Sequence, residues 1–93
     1  HQDLMKKLRQ TGQFKKDLKR IQNNPRKVSA LKVVLGILRE TGRLPKEYYP
    51  HLLTGIYRGH MECHIGSDFL LIWIDEREDV IKLVRLGSHS ELF

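Results

Sequence analysis

Residues 57–86 read YRGHMECHIG SDFLLIWIDE REDVIKLVRL, and their patterning decides the fold. Residues 57–65 alternate, with His60, Glu62 and His64 on one side and Met61, Cys63 and Ile65 on the other. That is the period of two of a strand with one polar face. Gly66-Ser67 supplies a hairpin turn. Residues 69–74, FLLIWI, have no polar side at all. They read as a central strand covered on both faces. An acidic turn over 75–79 leads into a third strand over 80–86, and residues 87–93 form a short tail. Consecutive strands joined by tight turns predict an antiparallel sheet.

Upstream the period changes from two to 3.6. Thr11-Gly12 offers an N-cap, after which Phe14, Leu18 and Ile21 recur at helical spacing. Lys15, Lys16, Lys19 and Arg20 fall on the other side, giving this helix a basic outer face. Asn24-Pro25 starts a second helix, since Asn caps and Pro suits the first helical position. Val28, Leu31, Val34, Leu35 and Leu38 form its apolar stripe. Gly36 lies inside it, costs about 1 kcal/mol relative to Ala, and is expected to admit the first helix closely. Thr41-Gly42 ends this helix and Pro45 prevents its continuation. Residues 5–10, anchored by Leu4, Met5 and Leu8, form a short first strand, and 46–51 connect the helices to the sheet.

The expected architecture is thus α+β, an N-terminal αα-hairpin packed on a small antiparallel β-sheet, in a single domain spanning 1–93. Residues 1–4 read as a remnant ahead of a natural start at Met5, and His1 is given no role. A chain of 93 residues buries roughly 60–65 % of its unfolded surface, enough for a marginally stable core.

Charge divides the chain. Residues 1–50 hold thirteen Lys/Arg against four Asp/Glu, and residues 51–93 hold four against seven. A basic half fits a phosphate-rich or acidic partner, although a solvated helix face would read the same way. The lone Cys63 excludes an internal disulfide framework and fits a reducing cytoplasm. No apolar run approaches the roughly 20 residues that span a bilayer, so no membrane partner is expected.

The acidic half carries His51, His64, Asp68 and His89. His64 and Asp68 flank the hairpin turn, and His89 follows the end of the third strand, beside the start of the second. With Arg85, these groups can gather on one rim, which His51 reaches from the connector. RNA carries its own nucleophile, the 2′-hydroxyl. Its attack on the adjacent phosphorus needs a base, a cation at the phosphate and an acid for the departing 5′-oxygen. His51, His64 and Asp68 can supply the first, Arg85 the second and His89 the third. Each histidine also has an ordinary surface reading, Asp68 suits a turn, and Arg85 can serve a rim ion pair. His60 is read as such a surface residue.

A metal site is not expected. Cys63 and His64 point to opposite faces, and His60 and His64 lie roughly 13 Å apart along a strand. Cys63 reads as core, and there is no Gly-rich phosphate loop. No cofactor is expected.

Three runs resemble a known family: Leu53-Thr54-Gly55-Ile56-Tyr57-Arg58-Gly59, Glu62-Cys63-His64-Ile65-Gly66-Ser67-Asp68-Phe69, and the tail Arg85-Leu86-Gly87-Ser88-His89-Ser90-Glu91-Leu92-Phe93. They are similar to the YafQ branch of the RelE/ParE toxin superfamily, as is the opening 11–19. The resemblance covers nearly the whole chain and implies a RelE/ParE-like fold. It also implies the toxin of a type II toxin–antitoxin pair, a ribosome-dependent, metal-independent endoribonuclease that cuts translated mRNA. By resemblance His51, His64, Asp68, His89 and Phe93 form the site, with His89 as general acid and Phe93 stacking on a base. Where relatives carry an aromatic and an arginine this chain has His60 and Met61, which shifts phosphate binding to Arg85 and Arg58. The basic helix face, with Lys15, Lys16 and Lys19, is expected to hold ribosomal RNA. The implied partners are an acidic antitoxin, the ribosome and mRNA, with operator DNA bound only through the antitoxin. Two alternatives remain: a ParE-like inhibitor of DNA gyrase, whose branch lacks this histidine set, and a bare RNA-binding module.

Overall fold

The computed structural model describes residues 5–93. The expected anchor Leu4 and the remnant 1–4 lie outside the described residues. The chain runs β1 (Lys7–Gln10), α1 (Gly12–Ile21), α2 (Pro25–Thr41), a 3₁₀ turn (Lys46–Tyr48), β2 (His51–Leu52), a second 3₁₀ turn (Gly55–Tyr57), β3 (Met61–Gly66), β4 (Phe69–Arg77), β5 (Val80–Gly87) and α3 (His89–Leu92). The sheet order is β1-β5-β4-β3-β2.

The helix caps follow local chemistry. Thr11 accepts the Phe14 N–H and Asn24 accepts the Lys27 N–H, while Pro25 opens α2. Gly42 closes α2 at φ 73°, a left-handed conformation that glycine adopts without steric cost. Phe14, Ile21, Leu31, Val34 and Leu38 are buried with Cys63, Phe69, Leu71, Trp73, Ile81, Leu83 and Leu86 in the main core. The helix pair therefore covers one face of the sheet. Burial pushes the Cys63 thiol up to about 12, so it packs as an apolar group.

The other face of β4 needs its own cover. Leu70 and Ile72 are wholly buried there beneath Leu92, Leu53, Tyr57 and Val84. This second cluster accounts for the two-sided apolarity of residues 69–74.

Five expectations change. The sheet is mixed, because β1 pairs with β5 in parallel while the other pairings are antiparallel. His51, the last residue of the expected connector, and Leu52 after it pair with β3 as a strand, His51 with Glu62 and Leu52 with Met61. Residues 57–60 turn before β3 begins, with Gly59 at φ 88°. The tail is a helical turn with a capping box, in which the Ser88 side chain accepts the Glu91 N–H and the Glu91 carboxylate accepts the Ser88 N–H. Gly36 is exposed, and a Cβ placed on it would touch nothing within 4 Å. It does not serve close packing against α1.

β1 stops pairing at Gln10, opposite Leu83. Beyond it α1 supplies the edge of β5 with partners. The Thr11 hydroxyl donates to the Val84 carbonyl at 3.2 Å, and Asp17 accepts the Leu86 N–H at 2.9 Å. Asp17 is 1 % exposed. It also accepts from Arg85 Nε at 2.8 Å and Nη2 at 3.2 Å, and from Arg20. Burial alone would raise the Asp17 pKa. The Arg85 hydrogen bond, the Leu86 N–H and the charges of Arg85 and Arg20 outweigh it and hold the carboxyl below its ordinary range.

Two stability outcomes follow. Gly36→Ala should raise stability by about 0.5–1 kcal/mol, read as a higher denaturant midpoint, because it lowers the entropy of the unfolded chain at no steric cost. For Asp17 the folded pKa is depressed, so its contribution is complete above the unfolded value of about 4. It is lost as pH falls further, through the depressed folded value. The urea midpoint should therefore drop steeply below about pH 4, and less steeply in Asp17→Asn, where the titrating carboxyl is gone.

Candidate active site

The sheet register assembles the site on the face away from the main helices. Paired residues share a face, so two rows cross the strands: His51, Glu62, Ile72 and Arg85 in one, His64, Leu70 and Gly87 in the next. Leu70 and Ile72 lie between two polar banks, sealed under Leu53, Tyr57 and Leu92. β3 and β5 are separated by two inter-strand spacings, roughly 10 Å of backbone.

The first bank is Tyr49, His51, Glu62 and His64. The His51 ring lies 6.2 Å from the His64 ring, and the Tyr49 ring is 5.5 Å from each. Tyr49 has φ 54°, an uncommon conformation for a bulky residue, and its carbonyl sits 2.9 Å from His51 Nδ1. His51 Nε2 lies 3.1 Å from Glu62 Oε1. A neutral imidazole has one N–H, yet both ring nitrogens of His51 face acceptors. Satisfying both contacts takes a second proton, on the ring or on the carboxyl. Glu62 is 3 % exposed, and its Oε2 finds no hydrogen-bond partner among the described residues. A buried carboxylate oxygen without a partner is costly in a fold and is a mark of functional sites.

The second bank is His89, Phe93, Tyr57 and Arg85. The His89 ring lies 5.2 Å from Phe93, which meets Tyr57 edge-on at 5.5 Å. Phe93 is half exposed. Tyr57 turns its hydroxyl toward Arg85 Nη1 at 3.2 Å, and its ring meets His60 at 5.9 Å. Hydrogen bonds to Asp17 and Tyr57 push the Arg85 pKa upward. Asp68, at φ 48°, accepts the His89 backbone N–H at 2.8 Å. The Glu91 carboxyl is held below its ordinary range, chiefly by the Ser88 N–H it accepts. At Gly87 a Cβ would lie 2.7 Å from Glu91 Oε1, so this cap needs glycine there.

The candidate residues are therefore sorted rather than merged. His51 and His64 come together on one bank, and His89 and Phe93 on the other. Asp68 stands at the hairpin end, bonded to the His89 amide. Arg85 lies in the second bank with three of its five N–H groups engaged. Arg58 is exposed at the end of the 3₁₀ turn beside Tyr57. Lys15, Lys16 and Lys19 stand apart, in the helix layer. Lys15 and Lys19 edge a groove between α1 and α2 floored by Leu18, Ile21, Val28, Leu31 and Leu35. No three His, Cys, Asp or Glu side chains among the described residues form a group able to hold a metal ion. No helix among them is long and apolar enough to cross a membrane.

Sequence reasoning missed four residues. Glu62 shares a strand face with His64, a period-two signal that was present. Tyr49, Tyr57 and Asp17 join through tertiary contacts that no local pattern announces.

Residues 6–93 match the family described as bacterial toxin of type II toxin–antitoxin system, YafQ. The chain is similar to the mRNA interferase toxin YafQ of Escherichia coli, at 31 % identity over 84 residues, covering 89 % of this chain and 90 % of the relative. A metal-bound toxin from Helicobacter pylori superposes with a TM-score of 0.82 at 38 % identity, over 96 % of this chain and 100 % of that one. The YafQ chain of the Escherichia coli DinJ–YafQ toxin–antitoxin complex gives a TM-score of 0.82 at 28 % identity, over 96 % and 98 %.

The Asp68 contact yields a structural outcome. Asp68→Ala should speed hydrogen exchange at the His89 amide by about fivefold, corresponding to the loss of roughly 1 kcal/mol of charge-assisted hydrogen bonding at an exposed turn. Amide-exchange NMR on the two proteins checks it.

Proposed function

As the chain belongs to the YafQ family of bacterial type II toxins and is an mRNA endoribonuclease, we propose that it cuts translated mRNA on the ribosome by metal-independent attack of a 2′-hydroxyl. The observation that supports this reading is the gathering on one sheet face of two groups, His51 with His64 and His89 with Phe93, on either side of the covered Leu70–Ile72 cluster. A scissile phosphodiester laid over that cover would have a proton acceptor on one side and a proton donor on the other.

On this reading the first bank is the base. His64, beside the His51–Glu62 pair, takes the 2′-OH proton. As the pentacoordinate phosphorus forms, Arg85 turns its remaining N–H groups to the non-bridging oxygens. His89 protonates the departing 5′-oxygen, and the bond breaks to leave a 2′,3′-cyclic phosphate and a 5′-hydroxyl. Asp68 fixes the backbone that carries His89 rather than taking a proton itself. Phe93 stacks on a base, worth roughly 1–3 kcal/mol. The exposed Arg58 and the basic helix face with Lys15, Lys16 and Lys19 suit phosphates further along the RNA. The α1–α2 groove, apolar at its floor and lysine-rimmed, suits an acidic amphipathic segment of the antitoxin. Both sites are those of a protein acting in the cytoplasm.

Added to a translation extract, the purified protein should shorten mRNA and leave those two end groups. His89→Ala should keep the fold and cut about 10²–10⁴-fold more slowly, the usual worth of a general acid. An unchanged rate in that variant removes His89 from the mechanism. Inhibition of purified gyrase with mRNA left intact would replace the nuclease reading altogether.

A further inference from the structure

We propose that Asp17, on α1 and outside the imidazole set, is the positioning residue of this site: it locks the Arg85 guanidinium in orientation and, through Arg20, steadies the turn that carries His89. The proposal rests on the nuclease reading above for its activity test, and on geometry for everything else.

Arg85 has five N–H groups. Nε and Nη2 form a fork onto the two Asp17 oxygens, at 2.8 and 3.2 Å, and Nη1 donates to the Tyr57 hydroxyl at 3.2 Å. A two-pronged pair of this kind fixes the plane of the guanidinium as well as its place. One N–H on each Nη is left over, and these two are the donors a phosphate can use. The Arg85 side chain is 16 % exposed, so the group is held at the edge of the site instead of sweeping solvent. The carboxylate is anchored in turn by the Leu86 N–H at 2.9 Å, within the backbone of the strand that bears Arg85. Asp17 therefore cannot follow the guanidinium if it moves.

A second limb leaves the same carboxylate. Arg20 pairs with Asp17 and also with Glu91 at 3.2 Å. Glu91 accepts the Ser88 N–H at 2.8 Å and so closes the capping box of α3, from which His89 and Phe93 project. Arg85, Asp17, Arg20 and Glu91 thus alternate in sign along one chain of contacts. A single buried group orients the cation and steadies the acid-bearing turn. Preorganised charge is what lowers a barrier in which charge develops on phosphate oxygens.

Asp17→Asn keeps an acceptor for Leu86 but weakens the fork. In a purified translation system its kcat should fall about 10²-fold, the order expected of a misplaced but intact group, with apparent KM for ribosome-bound mRNA within about threefold. Val34→Ala, a core change remote from the site, serves as the control for lost stability and should keep kcat within about threefold. In an Arg85→Ala background Asp17→Asn should add less than about fivefold, because its effect is carried chiefly by Arg85. Where Asp17→Asn does not fold, Arg85→Lys carries the test: it keeps the charge, cannot form the fork, and should lose at least about tenfold in kcat. The Arg85 Nε–H proton gives a readout independent of activity, slowly exchanging in the parent protein and fast in Asp17→Asn. Equal kcat in Asp17→Asn and Val34→Ala, full additivity with Arg85→Ala, or parental activity in Arg85→Lys overturns the proposal. Failure of the parent to cut mRNA while the Nε–H signal behaves as stated overturns the nuclease reading and leaves the Asp17 lock standing.

Discussion

A strand without a polar face cannot rest on water, and β4 is such a strand. Phe69, Leu71 and Trp73 need cover on one side, Leu70 and Ile72 on the other. The helix pair meets the first demand through Phe14, Ile21, Leu31, Val34 and Leu38. The second is met by Leu53, Tyr57 and Leu92, which lie on the segments bearing the site. Burying Leu92 brings His89 and Phe93 down onto the sheet, and burying Tyr57 brings its hydroxyl to Arg85. At about 25 cal/mol per Å² of apolar area, covering two such faces is the leading favourable term in a domain this small. The candidate site is thus also the lid of the second core.

Two carboxylates run against that economy. Asp17 and Glu62 are the buried acidic side chains among the described residues, and an ionised group in such a place costs several kcal/mol unless it is paired. Asp17 is fully compensated by donors from α1 and β5 and becomes a structural hub. Glu62 is compensated on one oxygen only, through His51. The contrast is one of hydrogen bonding: the Asp17 carboxylate is saturated by donors, and Glu62 keeps one oxygen without a partner among the described residues.

The layout puts two different surfaces on one small chain. The imidazoles occupy the sheet face away from α1 and α2, and the lysine-rimmed groove lies within the helix layer. The charge division along the sequence maps onto this division in space, with the basic half supplying the helices and the acidic half supplying most of the sheet.

Local chemistry was enough for much of the fold. Thr11, Asn24-Pro25 and Gly42 mark helix ends because caps are satisfied within a few residues, and the alternation before Gly66 with the unbroken apolar run after Ser67 identifies the hairpin. The histidines, Asp68, Arg85 and Phe93 were legible as candidates because their chemistry is carried by residue type and motif. What the sequence alone determined, then, is where elements begin and end and which groups are available for acid–base work. Only the tertiary structure decided that β1 runs parallel to β5, that residues 51–52 join the sheet, that Asp68 serves the His89 amide, and that Asp17 and Glu62 back the two banks. The physical reason is distance along the chain: Asp17 meets Arg85 across 68 positions, and no short-range pattern encodes a contact whose partners are brought together by burying someone else's hydrophobic surface.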